Sequence, residues 1–303
     1  MVEASKAKIA VIGAGLMGHG IAQVFARAGH EVTITDALVQ NLDSAKSRIA
    51  ANLRDLGDDE SALERIEPCF DLGDAVRNAD YVVEAASENL ALKQRLFAEV
   101  ELHVRPDTIL ASNTSVIPIT SIMQGLQKRE RALGTHWWNP PFLVPLVEVI
   151  ETQWSSPASV AWTMELHRAA GKKPAHVKKD VPGFIGNRLQ HALWREAISL
   201  VENGICDAET VDAVIKASFG RRLAVLGPLE NADLVGTDLT LAIHETVLPA
   251  IESRPRPSTY LRKLVAEGKL GFKSGEGFRK WSAEEQAALR AKVFAHLKAT
   301  RDK

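Results

Sequence analysis

The stretch from Lys8 to Asp36 limits what this chain can fold into more than any other. An apolar run, Ile9 to Ile12, stops at Gly13, and the pattern Gly13-x-Gly15-x-x-Gly18 follows. Ile21, Ala22, Val24, Phe25 and Ala28 then recur at helical spacing up to Gly29, so the segment reads as strand, tight turn and helix. A second short run, Val32 to Ile34, leads to Asp36, at the distance from Gly18 where a dinucleotide-binding unit needs an acid for the adenosine ribose hydroxyls. The glycines supply the turn, the close approach of backbone to a pyrophosphate, and close packing of helix on strand, with the helix N-terminus facing the anion. Leu16 and Met17 complete that loop. The unit implies NAD as cofactor. Asp36 would repel the 2′-phosphate of NADP, and no arginine follows it immediately to reverse the preference.

Downstream the pattern keeps alternating. Leu38 to Leu56 reads as one amphipathic helix, followed by the polar patch LGDDESALERIEP and a strand over 79–86. A helix beginning near Leu90 closes at Pro106. The run 108–111 is a buried strand that delivers Ser112-Asn113-Thr114-Ser115 at its C-terminal end, the edge at which doubly wound sheets bind ligands. A short helix over 118–127, strands over 131–135 and 146–151, a helix opened by Ser156 and Pro157, and a strand over 174–178 complete this half. Beyond Pro182-Gly183 only helices are expected: 184–203, a helix capped by Asp207, 228–251, 259–267, and a final one opened by the capping box Ser282 and Glu285. The expected fold is thus α/β, a Rossmann-type, mainly parallel sheet domain over 1–181, followed by an all-helical C-terminal domain over 182–303.

Composition narrows the function classes. A net charge of −1 gives no global field for nucleic acid or an anionic membrane. Cys69 and Cys206 are the only cysteines; they stand far apart and without metal-ligand spacing, which argues for a reducing compartment and against a disulfide framework. No run approaches the length of a membrane span and no signal-like h-region opens the chain, so a cytoplasmic enzyme with a small-molecule substrate is expected.

The chemistry must come from polar groups near the nicotinamide. His136 and Glu148 lie near strand boundaries on either side of Asn139-Pro140-Pro141, and a hairpin-like return would bring imidazole and carboxylate together. A base held that way can take a proton from a secondary alcohol as hydride leaves for the nicotinamide. A histidine at a strand end is also common as a structural residue, and Ser115 fits turn or helix-cap chemistry equally well.

Seven segments, GAGLMGHGIAQ, VVEAASENLALK, ASNTSVIPIT, HWWNPPFLVPLVEVI, KDVPGFIGNRL, GPLENADLVG and GFKSGEGF, together resemble the 3-hydroxyacyl-CoA dehydrogenase superfamily over nearly the whole chain. The resemblance implies His136 as general base, Glu148 as its orienting partner, and Ser115 and Asn187 as donors to the substrate oxygen. It also implies a cofactor set of Gly13, Gly15, Leu16, Met17, Gly18, Asp36, Ala85, Glu88, Lys93 and Asn113, and a homodimer formed by the helical domain. Two departures bear on substrate. Relatives acting on acyl-CoA carry a longer, lysine-rich hairpin between the second strand and the VVEA strand, whereas here that region is short with an acidic tip. The segments around 139–148 and 221–228 look more like the λ-crystallin and L-gulonate 3-dehydrogenase branch, which oxidises free hydroxy acids, and Arg222 could form a bidentate pair with a substrate carboxylate or be a solvated surface arginine. GFKSGEGF points back to CoA-using members. The expected activity is NAD-dependent oxidation of the 3-hydroxy group of a small free 3-hydroxy acid of the L-gulonate type to the 3-oxo product; a 3-hydroxyacyl-CoA substrate is the alternative, and a non-catalytic Rossmann protein that retains the cofactor is the other class.

Overall fold

A computed structural model describes residues 1–301 and divides them into two compact units: Met1–Arg188 with the chain from Phe294 onward, and Leu189–Val293. The first unit holds one sheet of eight strands: β1 (Ile9–Ile12), β2 (Val32–Thr35), β3 (Ile66–Pro68), β4 (Tyr81–Glu84), β5 (Ile109–Ser112), β6 (Ala132–Trp137), β7 (Leu146–Glu151) and β8 (Lys173–Val177). Their spatial order is β3-β2-β1-β4-β5-β6-β7-β8, with every pairing parallel except β6 with β7. β1, β4, β5 and β6 are buried throughout, which is why β1 and the first three residues of β4 and β5 are continuous apolar runs rather than alternations.

Helices α1 (Gly18–Arg27), α2 (Val39–Asp43), α3 (Ala45–Leu56), α4 (Leu72–Arg77), α5 (Leu90–His103), α6 (Ile119–Met123) and α7 (Pro157–Ala169) cover the sheet. The strand order reverses at β1, which pairs with β2 on one side and β4 on the other. Such a switch point leaves a crevice at the strand C-termini, where the glycine loop sits. On one face Phe25 is ringed by His30, Tyr81, Trp137 and His167 at centroid distances of 5.6–5.9 Å.

Four expectations change. The helix expected over 38–56 is two, broken at Ser44, which stays αR but turns its hydroxyl onto the carbonyl of Gln40. The polar patch after it holds a 3₁₀ helix, Glu60–Arg65, and the edge strand β3, where Ile66 alone is buried. α4, capped by Asp71, was not expected. In the helical unit the stretch 228–251 is likewise broken: α10 (Pro228–Val235) ends at Gly236, whose φ of 100° only glycine adopts cheaply, before α11 (Thr237–Val247) begins.

α8 (Gly186–Glu202) starts in the first unit, and α9 (Ala208–Ala217), α10, α11 and α12 (Thr259–Ala266) belong to the second. Among the described residues of the second unit only Ser199 and Leu264 are buried, while Leu193, Trp194, Leu229, Leu234, Leu239 and Leu241 are exposed. A cavity of about 600 Å³ in that unit is walled by Trp194, Ile198, Val201, Leu264, Phe278 and Trp281. α13 (Ala283–Thr300) ends within the first unit, where Phe294 and Leu297 pack on the core and Arg301 pairs with both carboxylate oxygens of Asp58 at 2.9 and 3.0 Å. No described helix is long and apolar enough to cross a membrane.

Candidate active site

The glycine loop closes so tightly that side chains cannot enter it. A Cβ on Gly18 would fall 1.6 Å from the carbonyl oxygen of Gly13, and one on Gly13 would meet the Ala85 carbonyl at 2.7 Å. In front of Gly15, by contrast, there is open space to 4 Å. Leu16 is exposed and Met17 packs partly on the core. Asp36, just past β2, accepts the N–H of Ala14 at 2.6 Å and that of Leu38 at 2.7 Å, which pins its carboxylate beside the loop. A dinucleotide fits these residues: open backbone at Gly15, the start of α1 behind it, and an acid at the end of β2 for the ribose.

Glu88, in the loop after β4, and Lys93, in the first turn of α5, are members of a network that the sequence did not disclose. Lys93, 1% exposed, bonds to Glu84 at 2.6 Å and faces Glu88 at 3.4 Å; Glu84, at the end of β4, is fully buried and also accepts Ser112 Oγ at 2.5 Å. Glu88 accepts Thr114 Oγ1 at 2.6 Å and the N–H groups of Ser115 and Val116. Partial burial opposes the charge of Glu88, but the Thr114 hydroxyl, Lys93 and those two N–H groups together hold its carboxyl below the ordinary range. The network therefore fixes the turn that carries Ser115. Asn113 spends its side-chain oxygen on the N–H of Trp137 at 2.8 Å, one residue past His136.

β6 and β7 place His136 directly opposite Glu148 in antiparallel register, so the two side chains share one face. Nδ1 of His136 lies 2.7 Å from Glu148 Oε2, with both residues buried. The other oxygen of Glu148 accepts the N–H groups of Ile185 and Gly186 at 2.9 and 3.0 Å, at the start of α8. Burial raises the carboxyl of Glu148; His136 and the two N–H groups outweigh it and hold the group below the ordinary carboxylate range. A carboxylate so held makes Nδ1 the donor and leaves Nε2 as the lone-pair nitrogen.

The approach to α8 is strained: Gly183 and then Phe184 take φ values of 75° and 50°, the latter costly for a side chain of this size. That turn aims the two N–H groups at Glu148 and lays the Phe184 ring 5.6 Å from His136, with Trp138 on another side at 5.4 Å. Asn187 Nδ2 donates to the carbonyl of Ser115 at 3.0 Å, so Ser115, His136, Glu148 and Asn187 form one constellation within the first unit. Arg222 is an exposed residue of the second unit, capping the 3₁₀ turn Phe219–Arg221.

A glycine cradle at the switch point of a Rossmann sheet, with a buried His–Glu pair at the end of its neighbouring strands, defines an NAD-dependent oxidoreductase. The chain belongs to the 3-hydroxyacyl-CoA dehydrogenase family: residues 8–181 match its NAD-binding domain and residues 183–281 its C-terminal domain. It is 35% identical over 298 residues to 5-formyl-3-hydroxy-2-methylpyridine 4-carboxylate 5-dehydrogenase of Mesorhizobium japonicum, covering 97% of this chain and 96% of that one. A crystal structure of a dehydrogenase of that name, described as an NAD⁺-dependent dismutase, superposes with a TM-score of 0.91 at 35% identity, over 98% of this chain and 97% of that one. The probable 3-hydroxybutyryl-CoA dehydrogenase of Deinococcus radiodurans is 39% identical over 282 residues, 90% of this chain and all of the relative. The (S)-3-hydroxybutyryl-CoA dehydrogenase of Ralstonia eutropha superposes with a TM-score of 0.77 at 33% identity, over 91% of this chain and 99% of that one. The chain is accordingly an enzyme that uses NAD to oxidise a hydroxyl group.

Proposed function

We propose that the substrate is a small free 3-hydroxy acid, oxidised to the 3-oxo acid with His136 as the general base. The base assignment rests on the 2.7 Å His136–Glu148 pair, which leaves Nε2 able to accept the hydroxyl proton while Glu148 stabilises the resulting imidazolium. NAD, when bound, supplies the acceptor for the hydride that leaves the same carbon. Ser115 and Asn187 orient the substrate oxygen; the Ser115 turn is held from behind by Glu88, and Asn187 by the Ser115 carbonyl.

The substrate reading is carried by the extent of the match to a relative whose name includes a free carboxylate. That match covers 97% of this chain, and the corresponding structure superposes at 0.91, against 0.77 over 91% for a CoA thioester enzyme. Arg222 is proposed as the partner of the substrate carboxylate, in keeping with the resemblance to the L-gulonate branch. The second reading, a 3-hydroxyacyl-CoA substrate, is favoured by the 39% identity to the Deinococcus relative and by the segment Gly271–Phe278. We further propose a homodimer, which would cover the exposed leucines of the helical unit, and a reducing cytoplasmic setting for the free thiols of Cys69 and Cys206.

The deciding experiment is NADH formation from matched pairs of short 3-hydroxy acids and their CoA thioesters. The best free acid should exceed its thioester in kcat/KM by about 10²-fold, the scale of discrimination a recognised charged group provides. Turnover of thioesters with none of any free acid overturns the proposal in favour of the second reading.

A further inference from the structure

Arg48, on α3, reaches beneath the glycine loop. Its Nη2 donates to the carbonyls of Ala14 at 2.5 Å and Asn41 at 2.9 Å. Nη1 lies 3.4 Å from the carbonyl oxygen of Gly15 and 3.2 Å from Nδ1 of His19. Nε completes the set at 3.4 Å from the Ser44 carbonyl. His19 Nδ1 is itself 2.7 Å from the Gly15 oxygen, so that carbonyl is drawn toward both side chains. Among the described residues no carboxylate pairs with this guanidinium; Asp36 is bonded to the N–H groups of Ala14 and Leu38 and to Nδ2 of Asn41.

A trans peptide group is planar, with its C=O and N–H pointing opposite ways. Drawing the carbonyls of Ala14 and Gly15 toward Arg48 and His19 therefore turns the N–H groups of Gly15 and Leu16 away from them. Neither of those N–H groups has an acceptor among the described residues, and the space in front of Gly15 is open. Two such donors next to the N-terminus of α1 are the kind of backbone groups that bind phosphate oxygens.

We propose that Arg48 is a positioning residue for the cofactor: by holding the Ala14 and Gly15 carbonyls it presents the Gly15 and Leu16 N–H groups to the dinucleotide diphosphate. Asp36 anchors the N–H side of the Ala14 residue and Arg48 its carbonyl side, so the ribose and diphosphate parts of the site are set by different side chains. Lysine cannot replace the fork, because a single ammonium does not span carbonyls that Arg48 reaches through three separate nitrogens.

The test compares Arg48→Met and Arg48→Lys with the parent enzyme, by titrating NADH, ADP-ribose and adenosine and by measuring kcat at saturating NAD. Arg48→Met should raise the Kd of NADH and of ADP-ribose by about tenfold or more, the scale of lost hydrogen bonds to a charged group, with kcat changed less than about threefold. Adenosine, which has no diphosphate, should bind within about twofold of the parent, and Arg48→Lys should recover only part of the loss. NADH affinity unchanged in Arg48→Met overturns the proposal. So does an equal loss for adenosine, which would make Arg48 a general support of the α2–α3 corner. Should Arg48→Met fail to fold, Arg48→Lys carries the same comparison. These titrations do not depend on the identity of the substrate, so they stand or fall separately from the free-acid reading.

Discussion

Replacing Glu148 by glutamine exchanges one oxygen for an NH₂ group and removes one charge, at a position where hydrogen bonding dictates the outcome. Oε1 of Glu148 accepts two backbone N–H groups, from Ile185 and Gly186, and only an oxygen can do so. The glutamine must then turn its NH₂ toward His136, whose Nδ1 becomes the acceptor and whose proton moves to Nε2. That tautomer has no lone pair for the substrate hydroxyl. The charge adds a second loss, because the imidazolium formed during the reaction no longer has its counter-ion; two unit charges about 4 Å apart at an effective dielectric of about 20 interact by about 4 kcal/mol. That energy is a loss of about 10³-fold in kcat, and the tautomer effect can only add to it. Steady-state NADH formation and an NADH titration on the same preparation form the assay. The titration should be nearly unchanged, since Glu148 lies outside the glycine cradle. A kcat within about fivefold of the parent refutes the tautomer argument.

Other expectations follow from the same geometry. Asp36→Ala removes both the ribose acceptor and the repulsion of a 2′-phosphate, and should narrow the NAD to NADP preference by at least about tenfold, read from kinetics with the two cofactors. An unaltered ratio would remove Asp36 from the discrimination. Arg222→Met should raise KM for a free acid by about 10- to 10³-fold and leave a CoA thioester almost untouched; equal effects on both would strip Arg222 of its proposed role. For stability, burial drives His167 down to about 4 from its ordinary 6.5. Between those values the unfolded chain takes up a proton that the folded one refuses, so about 3 kcal/mol of stability is lost on acidification from pH 6.5 to 4. Burial drives Lys172 from 10.5 to about 7, so its contribution runs the same way, with stability rising as pH increases above 7. Melting curves of His167→Gln and Lys172→Met should be flatter than the parent in those two windows, and parallel curves would contradict the assignment.

What was legible in the sequence was local. The glycine loop, α1 and Asp36 announce themselves within one stretch because period, punctuation and charge coincide there. The His136–Glu148 pair was half legible: two strands around a proline-rich loop suggest a return, whereas direct cross-strand opposition depends on register. β3 and α4 were missed for a physical reason. β3 buries a single residue at the sheet edge and α4 is six residues long, so neither leaves a periodic trace. Glu84 was hidden inside an apolar strand, although a carboxylate ending such a run is itself a signal that a buried cation must answer it. Arg48 and Phe184 left no signal at all, since one acts on backbone carbonyls far away in sequence and the other through a backbone angle.

Whether His136 takes the hydroxyl proton is decided by single-turnover NADH formation in His136→Ala beside the parent, with NADH affinity titrated on both. The rate should fall by about 10²- to 10⁴-fold, with the Kd for NADH within about twofold, because the imidazole is needed for the proton and not for the dinucleotide. A variant that turns over at close to the parent rate would contradict it.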